Sequence, residues 1–371
     1  MKAIIMTLAL SNNYGAALQT YALAKTVEDL GVETVVYNYN DTKRFTYGCS
    51  AIKKIIHTVW RYVKDAMSLW QKKLGFRKFR SKYISLTKKR YHNNSELQNA
   101  QDDYDVYISG SDQIWNPDVF LYDTSYFLDF LPDTCKRISY ASSFGKSSFN
   151  EKDKEKCGKL LAKYEWISVR EDSGVSIVKE LCGKEAECVL DPTMLLTKND
   201  WDIIADGAKK KAKNFKGILC YIMPGDSKVV SAIVKTAEVL HKETGLPIMY
   251  IGIKEYDVLK YGIKNCDIFA SPMDFVAYFK NAEYVVTNSF HGTAFSLIYG
   301  KKFYIPINDS LPKEKALHER VTSILKKTDA ENAMFLVSDM KRKEIDVEKI
   351  QKSLCLEREK SLRFLKDSLG V

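Results

Sequence analysis

The chain of 371 residues is poor in several chemically useful things. It has five histidines and eight cysteines. The cysteines, at 49, 135, 157, 182, 188, 220, 266 and 355, form no CxxC pair and keep no metal-ligand spacing with a histidine. Thiols scattered in this way fit a reducing compartment and read as small buried hydrophobes. No HExxH and no GxSxG is present, and no DxD run typical of metal-bridged nucleotide sugars is read, so no bound metal and no nucleophile elbow is expected. The absence of GxGxxG and of GxxxxGK[ST] removes the usual dinucleotide and P-loop readings. No apolar run is long enough to span a bilayer. The opening "MKAIIMTLALSNNYG" has a short apolar run without a small-residue cleavage site, and reads as a first buried strand rather than a leader. A cytoplasmic protein is expected.

Acidic residues are missing from one segment. Between 53 and 90 there are thirteen Lys or Arg and a single acid, Asp65, so a formal charge of +10 is concentrated there and the remainder is close to neutral. Ile52, Ile55, Ile56, Val59, Trp60, Val63, Met67 and Trp70 recur at helical spacing from its edge inward. That is an apolar stripe with the cations mostly off it. The segment can be a solvated face packed by its tryptophans, or a face lying on an anionic membrane. Nucleic acid is not expected as a partner, because no recognition motif accompanies the charge.

What is present is ordinary and organised. A composition of 45% hydrophobic and 28% charged residues is that of a globular protein, and the length predicts two domains. "KAIIMTLAL" (2–10) reads as a strand, 16–30 as a helix stopped by Gly31, and "ETVVYNYN" as a second strand. The crossover implies a parallel pair. Further strands are read at 105–109, 136–145, 164–171 and 187–196. After a break near 192–200 the alternation restarts. Strands at 217–225, 247–253, 283–287 and 301–307 alternate with helices at 228–245, 271–282 and 292–299, the middle one capped by Ser271 with Pro272 at its first position. Residues 342–367 are helical. The expected fold class is α/β with two largely parallel sheets. In such sheets ligands bind beyond the carboxyl ends of the strands. That selects the turns at 12–15, 110–115, 142–145, 169–171 and 288–293.

Four of those turns carry chemistry. His291 is placed where strand 283–287 gives way to a helix that Gly292 and Thr293 are read to open. A helix N-terminus favours an anion, and a histidine beside an anion is held protonated and able to donate. It is also a place for a packed or capping histidine. Asn288, Ser289 and Thr293 supply more polar groups than a plain turn needs. Arg170 ends an apolar strand and requires a partner, either Glu171 or Asp172 beside it or an anionic ligand. In "SGSDQIWN" (109–116), Asp112 offers a carboxylate and Trp115 a flat face for a sugar ring, or else an Asx turn and a core tryptophan. "SNNYGAALQ" provides a loop before a helix.

"NNYGAALQTYAL", "ISGSDQIWN", "SYASSFG", "SVRE", "VLDPTMLL" and "TNSFHGTAFSLIYGKKF" occur in an order that resembles the polysaccharide pyruvyl transferase family, from about residue 3 to about residue 330. The resemblance implies two Rossmann-like domains facing a cleft, in the manner of glycosyltransferase-B enzymes. It implies an N-terminal α/β domain (1–192) on the acceptor side with the basic insert 51–90, a C-terminal α/β domain (193–335) on the donor side, and a helical segment (336–371). It implies transfer of a pyruvyl group from phosphoenolpyruvate to a sugar of a cell-surface polysaccharide or its lipid-linked precursor, closing a cyclic ketal. Phosphoenolpyruvate is then a co-substrate and no cofactor is expected. By this resemblance His291 is the acid/base and Arg170 the strand-end arginine that holds the donor; Asp112 is the candidate to activate the acceptor hydroxyl. Arg170, Asn288, Ser289, Gly292, Thr293 and Arg320 are assigned to the donor. Asn13, Tyr14, Gln113 and Trp115 are assigned to the acceptor. Some members carry Arg-Leu-His where this chain has Ser289-Phe290-His291, and Arg320 is the candidate replacement charge. A lipid-linked acceptor would bring the basic segment to the inner membrane face. Two other readings stand beside this one. A nucleotide-sugar glycosyltransferase of the same fold requires a ribose-binding acid, for which Glu319 is the nearby candidate. A basic peripheral membrane protein without catalysis requires only the charged segment.

Overall fold

The computed structural model describes residues 1–40, 59–100, 103–116, 123–145, 149, 151–223, 225–252, 255–311 and 319–371, the side chains of 59–69, 152 and 255–257 excepted. The chain forms two compact units. The first holds Met1–Lys53, Arg80–Leu195 and Arg358–Val371; the second holds Lys54–Phe79 and Leu196–Glu357.

In the first unit, strands β1 (Lys2–Met6), β2 (Glu33–Val36), β3 (Val106–Ser109) and β4 (Arg137–Ser139) form a parallel sheet in the order β2-β1-β3-β4. Every β1 residue after Lys2 is buried, as expected of a strand covered on both faces. The helix Tyr14–Asp29 makes the crossover from β1 to β2, and Asn13 caps it by accepting from Ala16 N at 3.3 Å. Strand β5 (Ser168–Val169) pairs in parallel with β6 (Glu187–Cys188), and parallel bridges from Ile138 to Trp166 and from Ser142 to Val169 continue the layer past β4. These later strands are much shorter than the runs 136–145, 164–171 and 187–196 suggest, because the residues beyond each short ladder turn into side-chain-bonded loops. Strand order reverses between β1 and β3. That makes their carboxyl ends the switch point where a ligand crevice forms in such sheets.

The second unit contains β7 (Gly217–Tyr221), β8 (Ile248–Ile251), β9 (Cys266–Asp267), β10 (Ala282–Thr287), β11 (Lys302–Ile307) and β12 (Met334–Leu336). All pair in parallel, in the order β12-β11-β10-β7-β8-β9. The chain winds outward from β7 in one direction and from β10 in the other, the doubly wound arrangement with its switch point between β7 and β10. The helix Pro272–Asn281 starts in a capping box between Ser271 and Asp274 with Pro272 in its first turn. It packs its aromatic face inward: Phe275, Phe279 and Phe295 form one ring cluster with Tyr221.

Two expectations about organisation change. The basic segment belongs to both units, dividing between Phe79 and Arg80, and the terminal helix Val347–Leu369 divides at Arg358. Within the basic segment, positions 52, 55 and 56 lie outside the described residues, as do the side chains of 59, 60, 63 and 67. Trp70, the last member of the expected apolar stripe, is 62% exposed. The buried face of the helix Val59–Tyr83 is carried by Phe76 and Phe79, both 0% exposed. Gly75 sets that choice: a Cβ there would lie 2.9 Å from Ser271 Cβ, so this turn is pressed against the start of the helix Pro272–Asn281. Among the described residues no helix is long and apolar enough to cross a membrane.

Candidate functional site

At the switch point of the second unit the chain leaves β10 through Thr287, Asn288 and Ser289. Thr287 Oγ1 donates to Tyr221 O at 2.7 Å and accepts from Ser289 N at 3.1 Å. The Asn288 amide clasps the strand across the gap: its Oδ1 accepts from Met223 N at 2.8 Å and its Nδ2 donates to Met223 O at 3.0 Å. β7 and β10 are thereby tied together where they end. The helix that follows runs Phe290–Ile298, two residues earlier than the sequence suggests. His291 is therefore in its first turn rather than ahead of it, at 7% exposure. Ser289 is the N-cap residue but makes no side-chain capping bond. By contrast, the helix Ser227–Thr244, which starts beyond β7, is capped by the Asp226 carboxylate, which accepts from Lys228 N at 2.8 Å. Of the two helices that open at this switch point, the His291 helix is the one whose dipole no carboxylate cap answers among the described residues.

Phe290 presents its ring edge-on to His291, with centroids 5.1 Å apart. The Arg320 guanidinium, on the helix Glu319–Lys327, lies over the Phe290 ring, 5.9 Å from its centroid. Arg320 thus reaches the start of the helix that carries His291. Thr293 does not offer its hydroxyl there: Oγ1 donates to Ser289 O at 3.1 Å and the residue is 0% exposed. Asn288 spends both amide atoms on Met223. A Cβ at Gly292 would lie 2.3 Å from Thr287 Oγ1, so the glycine lets the helix sit on the end of β10.

The first unit has a corresponding clasp. Gln19, fully buried in the crossover helix, donates to Thr7 Oγ1 at 2.8 Å and accepts from Ser111 N at 3.1 Å, joining the ends of β1 and β3. Thr7 Oγ1 also donates to Ser111 O at 3.1 Å. Asp112 follows with φ of 77°, a left-handed backbone that aspartate tolerates better than most residues. Its Oδ1 accepts from Gln113 N at 2.9 Å and faces Arg170 Nη2 at 3.3 Å. Arg170 in turn donates through Nη1 to Asp191 Oδ2 at 2.7 Å. Its side chain is 1% exposed and that of Asp191 0%, against 15% for Asp112. Burial opposes the charge on Arg170, but Asp191, Asp112 and Glu171 together outweigh it and hold the guanidinium more basic than usual.

This corrects the reading of Arg170. Its hydrogen-bonded carboxylate is Asp191, with Asp112 beside it and Glu171 adding to the field. It is enclosed with these carboxylates, its own side chain 1% exposed. Glu171 serves a different part of the turn. Its Oε1 accepts from Ser143 Oγ and Phe144 N at 2.9 Å each and from Gly145 N at 3.4 Å, holding the loop 142–145. Trp115 is a core residue at 1% exposure, stacked on Phe127 with centroids 5.4 Å apart and flanked by Phe144 and Tyr164. No face of it is open to a sugar. Tyr14 is likewise buried, at 3% exposure. Asn13 is occupied as the helix cap, and Gln113 accepts from Asn116 Nδ2 at 3.1 Å at the half-buried rim of the turn. Arg80, which the sequence marks only as one cation of the basic segment, donates to Ser11 O at 3.3 Å and Asn12 Oδ1 at 3.1 Å and so braces the loop before that helix. Its burial, and Arg90 nearby, lower its basicity. Among the described residues no group of three or more His, Cys, Asp or Glu is placed to hold a metal ion.

The family model for polysaccharide pyruvyl transferase matches residues 13–310, most of the chain. The chain belongs to the polysaccharide pyruvyl transferase family. Every residue assigned from the sequence to catalysis, donor or acceptor falls within the matched span except Arg320. Among curated proteins none matches the chain significantly. Similar solved structures include a UDP-GlcNAc 2-epimerase of Methanocaldococcus jannaschii in complex with UDP-GlcNAc and UDP, at TM-score 0.51 and 11% identity, covering 99% of both chains. A Listeria monocytogenes protein described as a UDP-N-acetylglucosamine 2-epimerase aligns at TM-score 0.53 and 11% identity, over 98% of this chain and 90% of its own. At such identities the likeness is one of fold: this family member has the α/β, glycosyltransferase-B-like architecture with two parallel sheets.

Proposed function

We propose that this family member transfers the pyruvyl group of phosphoenolpyruvate to a sugar of a cell-surface polysaccharide or its lipid-linked precursor. The observation that carries the reading is His291 in the first turn of a helix whose N-cap residue makes no side-chain capping bond, with Arg320 over Phe290 beside it. A donor that is a small trianion needs a helix N-terminus and a cation. In the reaction, protonation of the enol carbon C3 makes C2 electrophilic, an acceptor hydroxyl oxygen bonds to C2, and phosphate leaves. A second hydroxyl oxygen then bonds to C2 in place of the departed phosphate and closes the ketal, its proton passing to that phosphate. His291 is assigned the proton to C3 and Arg320 the donor's negative charge. Asp112, the most exposed member of its ion-pair cluster, is assigned the proton of the acceptor hydroxyl. Arg170 is reassigned from donor binding to positioning Asp112.

The deciding experiment is thermal unfolding with millimolar phosphoenolpyruvate or with uridine diphosphate. A ligand bound only by the folded state raises the melting temperature. A rise with phosphoenolpyruvate that falls in Arg320→Ala supports the reading. A rise with the nucleotide alone moves the assignment to glycosyl transfer. In phosphate-release assays with acceptor, His291→Ala is expected to lose roughly 100- to 10,000-fold in rate. Full transfer by that variant removes His291 from the chemistry.

A further inference from the structure

The exposed face of the helix Val59–Tyr83 carries a combination that the buried core does not explain. Trp70 is 62% exposed and Leu74 40%. They stand four residues apart on one side of the helix, and Arg77, Lys78 and Ser81 continue that side at three- and four-residue spacing, with Lys73 flanking it. Lys73, Arg77, Lys78 and Lys82 are all exposed, and no acid occurs anywhere in 66–90. Phe76 and Phe79 occupy the opposite side and are fully buried. The helix is therefore seated by one face and offers a tryptophan and a leucine, ringed by cations, on the other. Neighbouring exposed apolar side chains rimmed by charged ones are the pattern of an interaction surface rather than of a plain solvated one.

We propose that this face, centred on Trp70, Leu74 and Arg77, docks the protein on an anionic lipid surface. Indole settles at the headgroup level, where an apolar ring with one polar edge is best solvated. The surrounding Lys and Arg add attraction to anionic headgroups, and that attraction fades within a Debye length. A nucleic acid would be answered by the cations but gives no burial to Leu74. The proposal does not rest on pyruvyl transfer, and it narrows the contact from the basic segment 51–90 to the outward face of 70–82, which keeps only Trp70 of the expected stripe.

The test is co-sedimentation of the whole chain with vesicles of phosphatidylcholine alone or mixed with phosphatidylglycerol. Binding is expected to the anionic vesicles only, and to weaken as salt is raised. Trp70→Ala with Leu74→Ala, and separately Lys73→Gln with Arg77→Gln and Lys78→Gln, are each expected to weaken it by roughly tenfold or more. Removal of two cations elsewhere, Lys159→Gln with Lys163→Gln, is expected to change it less than about twofold. Fluorescence quenching by brominated lipid should be lost in Trp70→Phe. Failure to bind anionic vesicles overturns the proposal. So does equal loss in the control variant, quenching that persists without Trp70, or binding to an oligonucleotide but not to vesicles.

Discussion

His291 and Gly292 sit side by side but answer to different forces. His291 is placed by the helix start and has a chemical assignment. Gly292 is placed by the space that Thr287 leaves. The Thr287 hydroxyl is itself fixed between Tyr221 O and Ser289 N, so it has little freedom to yield. A methyl group within 2.3 Å of it must push the helix from the strand end. We expect Gly292→Ala to cost about 1–3 kcal/mol, the usual range for overpacking, read as a lower urea midpoint. A variant of unchanged stability that no longer binds phosphoenolpyruvate would show the opposite, that the glycine is kept for the approach of the ligand.

At the scale of elements, both units close their switch point in the same way, with a side-chain amide. Asn288 ties β10 to the chain after β7, and Gln19 ties β1 to the turn after β3. The first unit adds an ion cluster that fastens three strand ends: Asp112 after β3, Arg170 after β5 and Asp191 after β6. Asp191 also accepts from Thr193 N and Oγ1, at 3.0 and 2.7 Å, so it fixes the Asp-Pro turn as well as the guanidinium. Removing a carboxylate from an enclosed guanidinium leaves charge without compensation. Asp191→Ala is expected to destabilise by about 3–5 kcal/mol in chemical denaturation, with Asp191→Asn falling short of that. A loss below about 1 kcal/mol would mean that Arg170 is compensated elsewhere. The alternation of strands and helices, a break within 192–200 and the position of His291 beyond a strand end were legible from periodicity and turn residues. The partner of Arg170 was not. Neighbours in extended chain point to opposite faces, so Glu171 turns to the loop 142–145 while Arg170 turns to a residue 21 positions away. That pairing depends on β5 and β6 lying side by side, which no local pattern encodes. Trp115 misled for the same reason: the rings that cover it, Phe127, Phe144 and Tyr164, come from three later segments.

At the scale of the whole molecule, sequence order and spatial unit part company at the end of the chain. The helix Val347–Leu369 begins in the second unit, yet its last turns complete the first. Leu190 N donates to Ser361 Oγ at 2.9 Å, Arg358 Nε donates to Met194 O at 2.7 Å, and Phe364 sets its ring against Tyr140 and Trp166. Phe364 and Leu365 are 4% and 0% exposed. The first unit therefore lacks part of its core until the final residues are in place, which a division of the chain at 192 and 335 does not convey. Two substitutions in this one helix separate the outcomes. Phe364→Ala is expected to cost about 3–5 kcal/mol, as for other buried aromatics, and to alter the emission of Trp166. Leu356→Ala, eight residues earlier at 67% exposure, is expected to stay within about 0.5 kcal/mol of the parent. Equal effects from the two would indicate that the helix is held by its whole length rather than by the face that enters the first core.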